Sequence, residues 1–179
     1  AVVAMEGLAR LLGNAVLVVV GGGDRERIPL PGGMLDAMLR ERRVRFISLD
    51  SEIWRYYGAA DAVVVPSLYE SFSLVVLEAM AAGLPVVTAR TVALGDEGIR
   101  DGENGFLVDL PWDVDALAGR IRRVMEDKDL GKRVGARARE FATQYTWDRY
   151  VERTLELYGT VLGKDAAPPE RRRASGREG

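Results

Sequence analysis

PSLYESFSLVVLEAMAAGLPVV, Pro66–Val87, is the stretch that decides the fold of this chain. The run AVVVP leading into it is apolar and β-branched, as a buried parallel strand is, and SLVVLEAMAAG after it reads as a helix closed by Gly83. Between them lies a strand-to-helix turn. At such a turn, free backbone N–H groups and the positive end of the helix dipole face a phosphate well. Two carboxylates bracket the helix start. Glu70 stands at the mouth of the turn. Glu78 sits lower, at most about 12 Å further along the axis, and less because the turn takes up the first residues.

Composition bounds what the rest can be. A chain of 179 residues suits a single doubly wound unit with a real core. Lys plus Arg number 25 against 27 Asp plus Glu, a net charge of -2, so there is no footprint for a nucleic-acid partner. Cysteine and histidine are both absent, which excludes disulfides, thiolate or imidazole metal sites, a serine–histidine triad and a histidine base within the chain. The longest apolar runs, AVLVVV and AAGLPVV, are far too short to cross a bilayer. No charged-then-apolar leader precedes Ala1, which sets the expectation of a cytoplasmic protein.

Outward from the opening stretch, strands and helices alternate, the pattern of an α/β fold with a doubly wound parallel sheet. The opening AVVAMEGLARLL reads as a helix, and Ala15 to Val20 as a central parallel strand ended by Gly21, Gly22 and Gly23. The proline-bearing loop DRERIPLPG follows, then a helix over Gly33 to Arg42, a strand over Val44 to Ser48, a short helix over Glu52 to Ala60 and a strand over Ala62 to Val65. Beyond Gly83 come a strand at Pro85 to Thr88, a short helix near Glu97 and a strand at Gly105 to Val108. Asp101, Gly102, Asn104 and Gly105 read as a tight turn into that strand.

The remainder is helical. Asp113 is the expected N-cap of a helix that turns Leu117, Ile121, Val124 and Met125 inward. A second helix covers Leu130 to Thr143. A third begins near Thr146 and sets Trp147, Tyr150, Val151, Thr154, Leu155, Tyr158 and Leu162 in an amphipathic stripe. From Gly163 onward, KDAAPPERRRASGREG lacks large apolar residues and reads as a disordered tail, leaving 1–163 as the folded domain and 164–179 outside it.

The residues carry a family resemblance from about Val16 to Arg123. The lead-in Ala60, Asp61, Pro66, Ser67, the core Glu70, Ser71, Phe72, the continuation L-E-A-M-A-x-G-x-P-V-V and the later D-G-x-N-G-x-L-V resemble the E-x7-E segment of retaining glycosyltransferases of the GT-B fold, group 1 (family 4). That resemblance implies a Rossmann-like, C-terminal, donor-binding half. It implies that Glu70, at the catalytic centre but not as a nucleophile, accepts hydrogen bonds from donor-sugar hydroxyls, and that Glu78 accepts them from ribose hydroxyls. A carboxylate can accept from two vicinal hydroxyls at once, with charge assistance. The peptide N–H groups of Ser71, Phe72, Ser73 and Leu74 would face the diphosphate, whose growing negative charge needs fixed donors.

Further expectations follow from the same resemblance. Backbone atoms of Phe46, Ile47 and Ser48 would meet the nucleobase, although ending a strand explains them as well. Gly21 and Gly22 would let phosphate or sugar approach, although a turn with positive φ accounts for them equally. Glycine is frequent in the family where Ser73 and Ser48 stand. Glu78 is flanked by Val75, Val76, Leu77, Ala79 and Met80, where an unpaired buried charge would be costly. The basic loop that in the family precedes the first helix does not occur in this sequence, which reads as a truncated chain, inactive alone. No cofactor is expected beyond the donor itself, a nucleoside diphosphate sugar with UDP, GDP or ADP. No metal is expected either, since the pair Asp113 and Asp115 opens a helix instead of lining the site. The partners implied are that donor and an N-terminal acceptor-binding domain, through which alone a membrane would be met.

Two other readings compete. A non-catalytic module could keep the donor pocket without chemistry. An NAD-binding domain is suggested by VVVGGGD, but G-x-G-x-x-G would require glycine where Glu26 stands, and the following segment is proline-rich instead of helical.

Overall fold

The computed structural model describes residues 15–21, 43–48, 52–92, 94 and 98–163. The expected first helix, the loop from Asp24, the helix Gly33 to Arg42, the short helix near Glu97 and the tail lie outside the described residues. Five parallel strands are described. β1 (Leu17–Val20) pairs with β2 (Val44–Ile47), and β3 (Val63–Val65), β4 (Val86–Ala89) and β5 (Phe106–Val108) form a second sheet in that order. The registers run Val20 opposite Ile47, Val65 opposite Thr88, and Thr88 opposite Leu107.

Successive residues of a strand face opposite sides, and β4 and β5 are buried on both. Val87, Ala89, Phe106 and Val108 enter one apolar cluster with Leu117, Ile121, Val124, Leu130 and Val134. Val86 and Leu107 enter another with Val65, Val76, Ala79, Met80, Ala138 and Ala142. Helices therefore cover both faces of this sheet, as a doubly wound α/β fold requires. The buried Thr88 hydroxyl is satisfied by donating to the Val65 carbonyl at 2.8 Å. β1 departs from the expectation of a central strand: Val16 and Val18 are exposed, and its described neighbour is β2 alone.

The helices are α1 (Ile53–Ala59), α2 (Leu74–Ala81), α3 (Val114–Glu126), α4 (Lys128–Ala142) and α5 (Trp147–Leu162). Asp113 caps α3 as expected, its Oδ1 accepting from the Ala116 N–H at 2.9 Å. α2 ends at Gly83, whose φ of 80° is the left-handed conformation that glycine adopts without strain. α4 crosses α2 there so closely that the Gly83 carbonyl lies where a side chain on Gly135 would begin. The turn before β5 is built as the sequence suggests. Asp101 accepts from the Leu107 N–H and pairs with Arg120, while buried Asn104 bridges Gly98 and Arg100.

The chain divides into two compact units, 1–142 and 143–179. In the second, Thr146 caps α5 by accepting from the Arg149 N–H. Trp147 and Tyr150 meet edge to face, with ring centroids 5.8 Å apart. Among the described residues no helix is long and apolar enough to cross a membrane.

Candidate functional site

The site is assembled around the β3–α2 connection. Glu70 follows β3 and forms an isolated parallel bridge with Val92, beyond β4. Its Oε1 accepts from the Ser67 hydroxyl, and the Ser67 carbonyl in turn accepts from the Thr91 hydroxyl at 3.1 Å. Glu70 is thus half-buried and tied to the sheet through both backbone and side chain. Leu68, Tyr69, Phe72, Leu74 and Val75, neighbours of Glu70 along the chain, are all exposed, giving this segment an apolar surface.

Ser73 has a structural role that the sequence left open. Its hydroxyl is buried at the N-cap of α2, and Oγ accepts from the Val76 N–H at 3.4 Å. The Ser73 carbonyl takes the Leu77 N–H at 3.1 Å, which starts the helix. The amides left at an α-helix start without intrahelical partners are those of its first turn, here Leu74 and Val75. Glycine is also tolerated at an N-cap, so serine and glycine are interchangeable here for a structural reason. Ser73→Gly should therefore lower stability by only a few tenths of a kcal/mol, and Ser73→Ala by about 1 kcal/mol. Thermal denaturation of the two variants side by side checks this.

Glu78 is exposed, although its apolar neighbours in sequence suggested burial. Val76, Ala79 and Met80 form the buried face of α2, and Glu78 lies on the exposed one. It has a partner that the sequence did not suggest: the Tyr57 hydroxyl, on α1, donates to Glu78 Oε2 at 3.0 Å. Burial, then the hydrogen bond to Glu78 and the charge of its carboxylate, push the Tyr57 phenol up to about 12. It keeps its proton throughout the neutral range, so the direction of donation is fixed. Ile53, Trp54, Tyr57, Glu78, Ala81 and Ala82 line a groove of about 390 Å³ between α1 and α2. The Arg55 guanidinium sits over the Trp54 ring, 5.3 Å from its centroid, and pairs with Glu52 at 2.7 Å. Only about 6 Å of helical rise separates Leu74 from Glu78, so the free first-turn amides and this carboxylate lie within one ligand's reach.

The remaining expected residues lie at the carboxyl ends of β1 and β2. The Gly21 N–H donates to the Ile47 carbonyl at 3.0 Å, which sets Gly21, Ile47 and Ser48 side by side, with Gly21 at a φ of 72°. Gly22 and Gly23 lie outside the described residues. Phe46 packs on Val44, so its side chain belongs to the small core of that sheet. Asp113 is occupied in capping, and among the described residues no group of three or more acidic side chains could hold a metal ion.

Fold and site together define an α/β, Rossmann-like domain of the GT-B type. The sequence profile described as "Glycosyl transferases group 1" matches residues 1–141, and the chain belongs to that family. It is 38% identical over 136 residues to D-inositol 3-phosphate glycosyltransferase of Corynebacterium diphtheriae, covering 75% of this chain and 31% of the relative. The enzyme of the same name from Salinispora tropica is 34% identical over 159 residues, covering 86% of this chain and 33% of the relative. The chain thus spans about a third of the length of these relatives. Among solved structures, sucrose-phosphate synthase from Thermosynechococcus elongatus superposes with a TM-score of 0.74 at 29% identity, covering 90% of this chain and 42% of that one. Anabaena HepE in complex with UDP gives 0.74 at 25% identity, covering 90% and 44%.

Proposed function

We propose that this chain is the donor-binding half of a retaining, nucleotide-sugar-dependent hexosyltransferase. The observation that carries the reading is the placement of Glu78: an exposed carboxylate, one turn below the free amides of the α2 start, following Glu70 on a tethered loop. A nucleoside diphosphate sugar laid across these groups would have its ribose diol on Glu78, its phosphates on the helix start and its sugar hydroxyls on Glu70. Developing charge on the leaving phosphate would then meet fixed N–H donors. Glu70 acts in this reading by binding and orienting the sugar. Gly21, Ile47 and Ser48 would supply backbone contacts to phosphate or base.

An acceptor would be bound by an N-terminal domain, in keeping with the one-third span of the curated relatives, and sites of this kind form where two domains close on the substrate. Such a protein would act in the cytoplasm, reaching a membrane only through the other half. The 179-residue chain, which spans about a third of the length of its relatives, is expected to bind UDP, GDP or ADP only weakly and to show no transfer or hydrolysis of the matching sugar nucleotide. Isothermal titration calorimetry with each, in a folded sample, tests this. Heat with none of the three would sink the donor reading, and preferential heat with NAD would favour a dinucleotide-binding domain.

A further inference from the structure

A carboxylate that receives two vicinal hydroxyls must hold its plane toward them. An exposed glutamate on a helix has several rotatable bonds, and freezing them on ligand arrival opposes binding. Glu78 is already held. Tyr57 reaches it from a different helix, and the Tyr57 ring is itself packed against the cluster that contains Val76, Met80 and Val86. The phenol is thus a fixed post on the scaffold, joined to one oxygen of a side chain that would otherwise swing. Its single O–H engages Oε2 only, so Oε1 and the second lone pair of Oε2 stay available for a ligand. Ala81 and Ala82, the small residues beside Glu78 in the groove wall, leave that approach open.

We propose that Tyr57 is a positioning residue for ligand recognition, orienting Glu78 so that it accepts from the ribose diol of a nucleoside diphosphate. The inference rests on the donor-binding reading of Glu78 given above. Tyr57 touches no reacting atom. Its effect is confined to ligands that carry the diol.

The test measures UDP, GDP, ADP and inorganic pyrophosphate binding by calorimetry in the 179-residue chain, Tyr57→Phe, Glu78→Ala and the double variant. Phenylalanine keeps the packed ring and removes only the hydroxyl, and thermal melting confirms that each variant is folded. Tyr57→Phe is expected to weaken the preferred nucleoside diphosphate about fivefold and to leave pyrophosphate unchanged. In the Glu78→Ala background the same substitution should have no further effect, because the group it positions is gone. Equal weakening of both ligands, or the same weakening with and without Glu78, would overturn the positioning role. So would an unchanged Tyr57→Phe beside a weakened Glu78→Ala, an outcome that leaves the ribose reading standing. Unchanged nucleotide binding in Glu78→Ala, or none in the parent chain, would remove the ribose reading and the positioning role together.

Discussion

Gly135→Ala is expected to destabilise the chain by about 3 kcal/mol, at the upper end for a small overpacking change. A Cβ on Gly135 would lie 2.1 Å from the Gly83 carbonyl oxygen and 3.0 Å from its carbon, with Pro85 Cδ at 3.6 Å. The nearest obstacles are backbone atoms, which cannot rotate aside as a side chain can. Relief requires α4 to draw away from α2, and that opens the cluster in which Ala79 and Met80 meet Ala138 and Ala142. For a chain of this size the melting temperature should fall by roughly 6–12 °C. Gly119→Ala is the matched control: Gly119 is a helical glycine with nothing within 4 Å of a built Cβ. There alanine should be neutral or stabilising by about 0.5–1 kcal/mol. If the two variants melted together, the tight crossing of α2 and α4 would be wrong.

Glu78→Ala should weaken nucleoside diphosphate binding by about 30- to 150-fold. Two charge-assisted hydrogen bonds to a diol amount to about 2–3 kcal/mol after partial exchange with water, and each 1.4 kcal/mol is a factor of ten. Because Glu78 is exposed and its alanine variant creates no buried cavity, the stability cost should be confined to the lost Tyr57 hydrogen bond, about 0.5–1.5 kcal/mol. Pyrophosphate, which lacks ribose, should bind the variant and parent chains alike. Calorimetry with both ligands separates the outcomes, and an equal loss for both would contradict the ribose role.

Most of the described architecture was legible because its strands and helices announce themselves locally. Val86 to Ala89 is apolar throughout and is buried on both faces, and Asp113 and Thr146 are good N-caps that do cap α3 and α5. What stayed hidden depends on which way residues point. Val76, Ala79 and Met80 flank Glu78 in sequence, yet a helix turns about 100° per residue, so their burial says nothing of Glu78. The residues that share its face are three and four steps away. Those are Leu74, Val75, Ala81 and Ala82, and they are exposed. The capping role of Ser73 was not legible because a serine before a helix can serve either a ligand or the helix, and composition does not choose between the two. Tyr57 was out of reach altogether: its bond to Glu78 spans 21 residues and joins two helices that only the tertiary fold makes neighbours.

The Ser73 cap also bears on how fast a ligand could be captured. Its hydroxyl is committed to the Val76 amide from within the chain, so the first turn of α2 is wound before anything arrives. A ligand that uses this turn meets a finished surface, and its capture needs no accompanying folding step. Association should then proceed in a single kinetic phase at a rate set by collision and orientation, with differences among related ligands expressed in how long each stays.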